Sequence, residues 1–189
     1  MNSMTWLLLI VSLTTVHIAA EPVMRTKQAK NLRYSAHENQ STLLVIGVSV
    51  VLVLLTLAIG LYATPTLPSP LMAALAVLIS VGVCLRYTAM ATLGQRFTRT
   101  LTVHAGHELH TSGIYRLVRH PGYLGHILTF SAATTAITGY LAFGFAVLTT
   151  LFFVYRHRMN SEETMLLETF GQPYLQYTAS SWRLVPYFY

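Results

Sequence analysis

A chain of 189 residues has room for one domain, and this one is 53% hydrophobic and only 10% charged, against about 25% charged in an average soluble domain. A soluble protein of this size could not hide so much apolar surface, so the composition points to a bilayer. The formal charge of +6 would suggest nucleic acid in a soluble protein; here the basic residues flank apolar runs, so topology accounts for them and no nucleic-acid partner is expected.

The first apolar run covers 3–20 and ends in Ala19-Ala20, the small-residue ending of a signal peptide, but nothing basic precedes it. It is therefore read as a first membrane helix, stopped by Glu21-Pro22. A polar loop with Arg25, Lys27, Lys30 and Arg33 follows. The second run, Thr42 to Tyr62, is long enough to cross about 30 Å of hydrocarbon. Pro65, Pro68 and Pro70 forbid a helix through the next turn. A third run extends from Leu71 to about Leu93, with Arg86 expected to snorkel toward the headgroups. Residues 94–121 are too polar to span. Pro121 to Thr138 and Leu141 to Tyr155 form two shorter apolar runs, broken at Gly139-Tyr140. From Asn160 an amphipathic helix is expected, with Asn160 and Glu163 at capping-box spacing and Gly171 and Pro173 as its stop.

The fold expected is all-α and polytopic, with about five transmembrane helices. Residues 1–92 would hold three of them, and 93–189 a connecting segment, a helical hairpin and the amphipathic helix. With the N-terminus outside, all twelve Lys and Arg fall on one side, which the positive-inside rule makes cytoplasmic.

All six acidic residues are Glu, and there is no Asp. The single cysteine, Cys84, excludes an internal disulfide and a multi-cysteine metal site, and is read as a packing residue; no metal is expected. Two polar constellations remain. In the first, His120 precedes Pro121, which suits the first position of a helix. That helix end points unpaired N–H groups toward the polar face and favours an anion such as a carboxylate. Gly122 and Gly125 leave room for another backbone or a ligand, and Arg119, His120 and Tyr123 add donors. The second is Arg156-His157-Arg158-Met159-Asn160-Ser161-Glu162-Glu163. Arg158 and Glu162 are four apart and share a face if helix is continuous there. A glutamate bordering the membrane is costly unless paired or functional. Each residue also has an ordinary reading: Arg119 and Arg156 as anchors, Tyr115 and Tyr123 as an aromatic belt, the glutamates as helix-start residues.

The order of these elements resembles the isoprenylcysteine carboxyl methyltransferase family. The resemblance rests on Leu93-Gly94, Phe97-Thr98, His107 to Tyr115, and Arg119-His120-Pro121-Gly122-Tyr123-Leu124-Gly125. It continues through Glu162-Glu163, Leu166-Leu167, Phe170-Gly171, Tyr174, Tyr177 and Leu184-Val185-Pro186. It covers about half of the chain, from Leu93 onward. It implies membrane helices that enclose S-adenosyl-L-methionine near the cytosolic surface. The implied cofactor contacts are His107, Glu108, Leu109, His110, Tyr115, His120, Pro121, Gly122, Tyr123 and Glu162. Arg158 is implied as the catalytic residue facing the prenylated substrate. The family usually has an aliphatic residue where His110 stands.

The implied reaction is methylation of the C-terminal carboxylate of a prenylated cysteine in a protein, with membrane lipid around the enzyme and the endoplasmic reticulum as its location in a eukaryote. A carboxylate is already ionised near neutral pH. It needs orientation, exclusion of water and a counter-charge rather than a base. Two alternatives stand beside this one. A phospholipid N-methyltransferase would need a base to deprotonate an ammonium, with His107, His120 or Glu163 as candidates. A non-catalytic membrane relative would need none of this chemistry.

Overall fold

Prolines and glycines set the helix boundaries in this computed structural model, which describes residues 5–6, 8–12, 14, 36–63, 67–93 and 109–189. Helix α1 is Ala36–Tyr62 and α2 is Ser69–Leu93, followed by a 3-10 turn at Gly113–Arg116, α3 at Pro121–Thr138, α4 at Leu141–Phe170 and α5 at Gln172–Ala179. The Pro68 carbonyl accepts from the N–H groups of Leu71 and Met72 at 2.9 and 3.1 Å, which starts α2 beside the prolines. α3 begins on Pro121 and ends at Gly139, whose φ of 76° is a left-handed stop that suits glycine. Among the described residues there is no strand; pairing outside helices is one isolated parallel bridge, Val118 to Trp182.

α3 is the central helix, because 12 of its 18 residues are buried and most of those are small. Small residues let backbones approach. A Cβ on Gly82 of α2 would stand 2.6 Å from the Gly125 carbonyl, and one on Gly125 would strike the Gly82 carbonyl in return. A Cβ on Gly144 of α4 would overlap Thr135. Three hydroxyls on α3 bond back within the helix: Ser131 donates to Ile127 O, Thr135 to Ser131 O and Thr138 to Thr134 O, each at 2.7–2.8 Å. Thr134 also meets Thr56 of α1 at 3.2 Å.

Two helices are long and apolar enough to cross a membrane, over Gln40–Tyr62 and Ser69–Leu93. The expected first span lies mostly outside the described residues. The part that is described is helical at 5–6, 8–12 and 14; it buries Ile10 against Met72, Ile79 and Ala132, and Trp6 donates to Ser69 Oγ at 3.0 Å. The loop of Arg25 to Arg33, Arg96, Arg99, His107 and Glu108 all lie outside the described residues.

Three expectations are corrected. α4 runs unbroken through Asn160, so no helix starts there; Asn160 Oδ1 instead accepts from Arg183 at 2.6 Å. Gly171, at φ 57°, ends α4 as expected, and a separate short helix, α5, follows with Pro173 in its first turn. Arg86 is buried at 7% exposure rather than snorkelling; its Nη1 reaches the Gly122 carbonyl at 3.5 Å. Cys84 is exposed on α2 and is not a packing residue.

Successive helices run in opposite directions. The start of α1 (Ser41, Thr42), the later part of α2 (Arg86), the start of α3 (Tyr123) and the middle of α4 (Arg158) meet at one end. At the other end, Gly60 of α1 faces Ile137 of α3. The polar residues of both sequence constellations therefore share one end of the bundle.

Candidate functional site

Tyr123 sits one turn into α3 and α4 passes beside it, so its phenol lies between Arg158 and Glu162 of α4. The Tyr123 hydroxyl donates to Glu162 Oε2 at 2.5 Å, and Arg158 Nε donates to the same hydroxyl at 3.0 Å. Arg158 and Glu162 do share a face of one continuous helix, and a phenol joins them. The Tyr123 ring stacks on His120, centroids 5.3 Å apart and planes 4° off parallel, and packs on Tyr155 at 4.8 Å. Arg158 is buried at 6% exposure; its Nη1 also donates to Thr42 Oγ1 at 2.8 Å and lies 3.4 Å from Ser41 Oγ.

The adjacent carboxylate is held quite differently. Glu163 Oε1 accepts from Arg119 Nε at 3.2 Å and meets His120 Nε2 at 3.0 Å, while Oε2 pairs with Arg183 at 3.1 Å. Burial alone would raise the Glu163 pKa. The hydrogen bond and charge of His120, with the charges of Arg183 and Arg119, outweigh burial and hold it near 2. Glu162 has no arginine within ion-pair distance among the described residues. Its neighbours are the neutral Tyr123 hydroxyl and His120 Nδ1 at 3.8 Å. At 26% side-chain exposure against 20% for Glu163, it is the more open of the two.

A strap formed by the residues after α5 closes this end. Arg119 N donates to Trp182 O at 2.8 Å, His120 N to Arg183 O at 3.1 Å, and Trp182 N to Leu117 O at 2.9 Å. Arg119 Nη1 adds bonds to Ser181 O at 2.5 Å and Thr178 O at 3.1 Å. The backbone that presents His120 is thus clamped by the strap, and its imidazole by Glu163.

Of the residues singled out by the sequence, His120, Tyr123, Arg158 and Glu162 come together directly. Tyr115 joins them through the 3-10 turn: burial, and then the Glu162 charge, raises its phenol pKa above the ordinary value. Its carbonyl accepts from the Tyr177 hydroxyl at 2.7 Å. His110 reaches the group only by its edge-on contact with Tyr115, at 5.9 Å; Ser112 lies 3.1 Å from its Nε2. Leu109 is half-buried next to it. Pro121 and Gly122 are buried, and the space beside Gly122 is taken by Arg86, whose Nη1 a Cβ would approach to 3.3 Å. The room at Gly125 is taken by the α2 backbone.

Read from sequence alone, Arg183, Ser41 and Thr42 have no role at the site, and Glu163 is a capping-box residue or a candidate base rather than the partner of two arginines. For Arg183 a signal existed, since it precedes the Leu184-Val185-Pro186 ending. Ser41 and Thr42 carry no signal beyond polarity at a span's edge.

The family model described as isoprenylcysteine carboxyl methyltransferase matches residues 72–168. The chain is 36% identical over 115 residues to protein-S-isoprenylcysteine O-methyltransferase A of Arabidopsis thaliana, covering 59% of this chain and 57% of that protein. It is 35% identical over 98 residues to the human protein-S-isoprenylcysteine O-methyltransferase, covering 51% of this chain and 34% of the relative. The chain therefore spans less than two thirds of the length of either. The solved structure of a eukaryotic intramembrane Ras methyltransferase, ICMT, superposes with a TM-score of 0.59 at 26% identity, over 74% of this chain and 52% of that one.

Proposed function

The chain belongs to the isoprenylcysteine carboxyl methyltransferase family, and from that premise we propose that it is an integral membrane enzyme that methylates the C-terminal carboxylate of prenylated cysteine, with S-adenosyl-L-methionine as donor. In a eukaryotic cell it would reside in the endoplasmic reticulum membrane with its polar end facing the cytosol. The observation that carries this reading is the division of labour between two adjacent glutamates. Glu163 is paired with Arg119, Arg183 and His120, whereas Glu162 accepts from the Tyr123 phenol and, among the described residues, has no arginine within ion-pair distance. Glu162 is thus the carboxylate suited to the ammonium of the methionine moiety. The cofactor, when bound, supplies an electrophilic methyl on a sulfonium.

The remaining tasks belong to the protein. His107, Glu108, Leu109, His110 and Tyr115 would line the nucleoside side, and His120, Pro121, Gly122 and Tyr123 the side nearer Glu162. Arg158 would orient the substrate carboxylate with its planar fork, which a point charge cannot imitate. No base is required, because an ionised carboxylate attacks carbon directly and becomes a neutral ester. The apolar residues that cluster with Tyr155 and Met159, among them Val45, Val48 and Leu52 of α1, would flank the prenyl chain and keep water away.

The deciding experiment is methyl transfer by the purified protein in nanodiscs to a farnesylated cysteine analogue, compared with phosphatidylethanolamine. Methyl ester formation on the first substrate alone is expected. Methylation of the amine lipid alone, or no transfer and no binding of S-adenosyl-L-methionine, overturns the proposal.

A further inference from the structure

Tyr123 carries one hydroxyl proton and faces both halves of the proposed reaction. Arg158 Nε can only donate, so at 3.0 Å the Tyr123 oxygen must be the acceptor there. The single phenolic proton is then committed to Glu162 Oε2, at 2.5 Å. The ring has little freedom to swing away, because it is held by the stack on His120 and by Tyr155. The hydroxyl proton, by contrast, can rotate about the C–O bond.

This bond pattern cannot persist with both ligands present, and the following inference rests on the function proposed above. An ammonium on Glu162 offers that carboxylate charge-assisted donors, which outcompete a neutral phenol. A carboxylate on Arg158 places a new acceptor next to the same phenol. We propose that Tyr123 is a further catalytic residue, whose hydroxyl turns its proton from Glu162 to the substrate carboxylate once the amino-acid end of the cofactor is seated. The bond goes to the carboxylate oxygen that Arg158 orients, and the other oxygen attacks the methyl. One C–O bond forms and one S–C bond breaks. The carboxylate and sulfonium charges cancel, and no proton changes owner. The neutral ester accepts a weaker hydrogen bond than the carboxylate did, so the phenol returns to Glu162 as product leaves.

The signature is a coupling between two binding events that runs through one oxygen atom. Titration calorimetry in nanodiscs would measure the affinity for N-acetyl-farnesylcysteine with and without saturating S-adenosylhomocysteine. In the wild type the homocysteine compound should tighten prenylcysteine binding about tenfold, within the usual range of site-to-site coupling. In Tyr123→Phe the coupling should fall to within about twofold of unity. A second measurement needs no variant. Methylthioadenosine keeps the nucleoside and the sulfur but lacks the amino-acid end, so at saturation it should leave prenylcysteine affinity unchanged in the wild type. Equal coupling in wild type and Tyr123→Phe, or equal coupling by the two nucleosides, overturns the role of Tyr123 and leaves the proposed function standing. A wild type that binds neither prenylcysteine nor S-adenosylhomocysteine removes both.

Discussion

Glu162 and Glu163 are neighbours in sequence, yet each step along a helix turns the side chain by about 100°, and that rotation separates their fates. Glu163 turns toward Arg119, His120 and Arg183; Glu162 turns toward Tyr123. Replacing Glu162 by Gln should weaken S-adenosylhomocysteine binding by roughly 1.5–3 kcal/mol, the value of a hydrogen bond to a charged group, with little change in thermal stability; calorimetry decides, and an unchanged dissociation constant refutes the assignment. Replacing Glu163 by Gln should act on folding instead, lowering Tm because Arg119 and Arg183 lose their shared counter-charge. Its pH dependence follows from its depressed pKa, about 2 against an ordinary 4.5. A lowered folded-state value means the stabilisation is complete above about 4.5 and fades as the pH falls toward 2. The Tm difference between wild type and Glu163→Gln should therefore close as the pH falls through that acid window. Arg158→Lys is expected to raise the KM for prenylcysteine, or lower kcat, without altering cofactor affinity, since lysine cannot hold Tyr123, Thr42 and a carboxylate in one plane. Steady-state kinetics with each substrate varied in turn would expose a mere anchor, for which lysine would suffice. The Arg158–Glu162 relation is legible in the sequence as i, i+4 spacing. The phenol between them is not, because Tyr123 lies on another helix and its approach depends on how α3 and α4 pack.

Helix boundaries are readable where the backbone chemistry is strict. Pro121 and Gly139 delimit α3 as expected, and the prolines before α2 place its start within two residues of the expected Leu71. Asn160 misleads, because a polar patch there looks like a helix start. A cap is needed only where backbone N–H groups lack partners, and inside α4 they are already satisfied by the preceding turns. The glycines of the first polar constellation signal room for a neighbour, and for Gly125 that neighbour is α2. The reciprocal Gly82 and Gly125 contact leaves no space for a methyl on either helix. Gly125→Ala should thus force α2 and α3 apart and cost roughly 1–3 kcal/mol, as overpacking does. A Tm equal to that of the wild type in the same detergent would show that the helices have slack at this crossing.

At the scale of the whole molecule, an up-and-down arrangement brings Ser41, Arg86, Tyr123 and Arg158 to one end, and the charge asymmetry of the sequence makes that end the expected cytoplasmic one. In a Cys84→Ser background, cysteine placed at exposed Ser112 should be labelled only from the cytosolic side of sealed vesicles, and cysteine at exposed Tyr62 only from the other. Labelling of both from one side would sink the topology. What sequence could not reveal is the strap, because a pairing of Val118 with Trp182 joins segments about 60 residues apart and neither has a strand's alternating pattern. That pairing has a consequence for biogenesis. At about 5–20 residues per second, Trp182 and Arg183 are made some 3–13 s after the start of α3 has been synthesised. Through that interval the His120 backbone lacks its carbonyl partner, and Glu163, once made, lacks Arg183 until the end of it. The helices can enter the bilayer in order of synthesis, but the pocket can close only after Trp182 and Arg183 have been made, so a chain cut short before residue 182 should insert normally and still bind no cofactor.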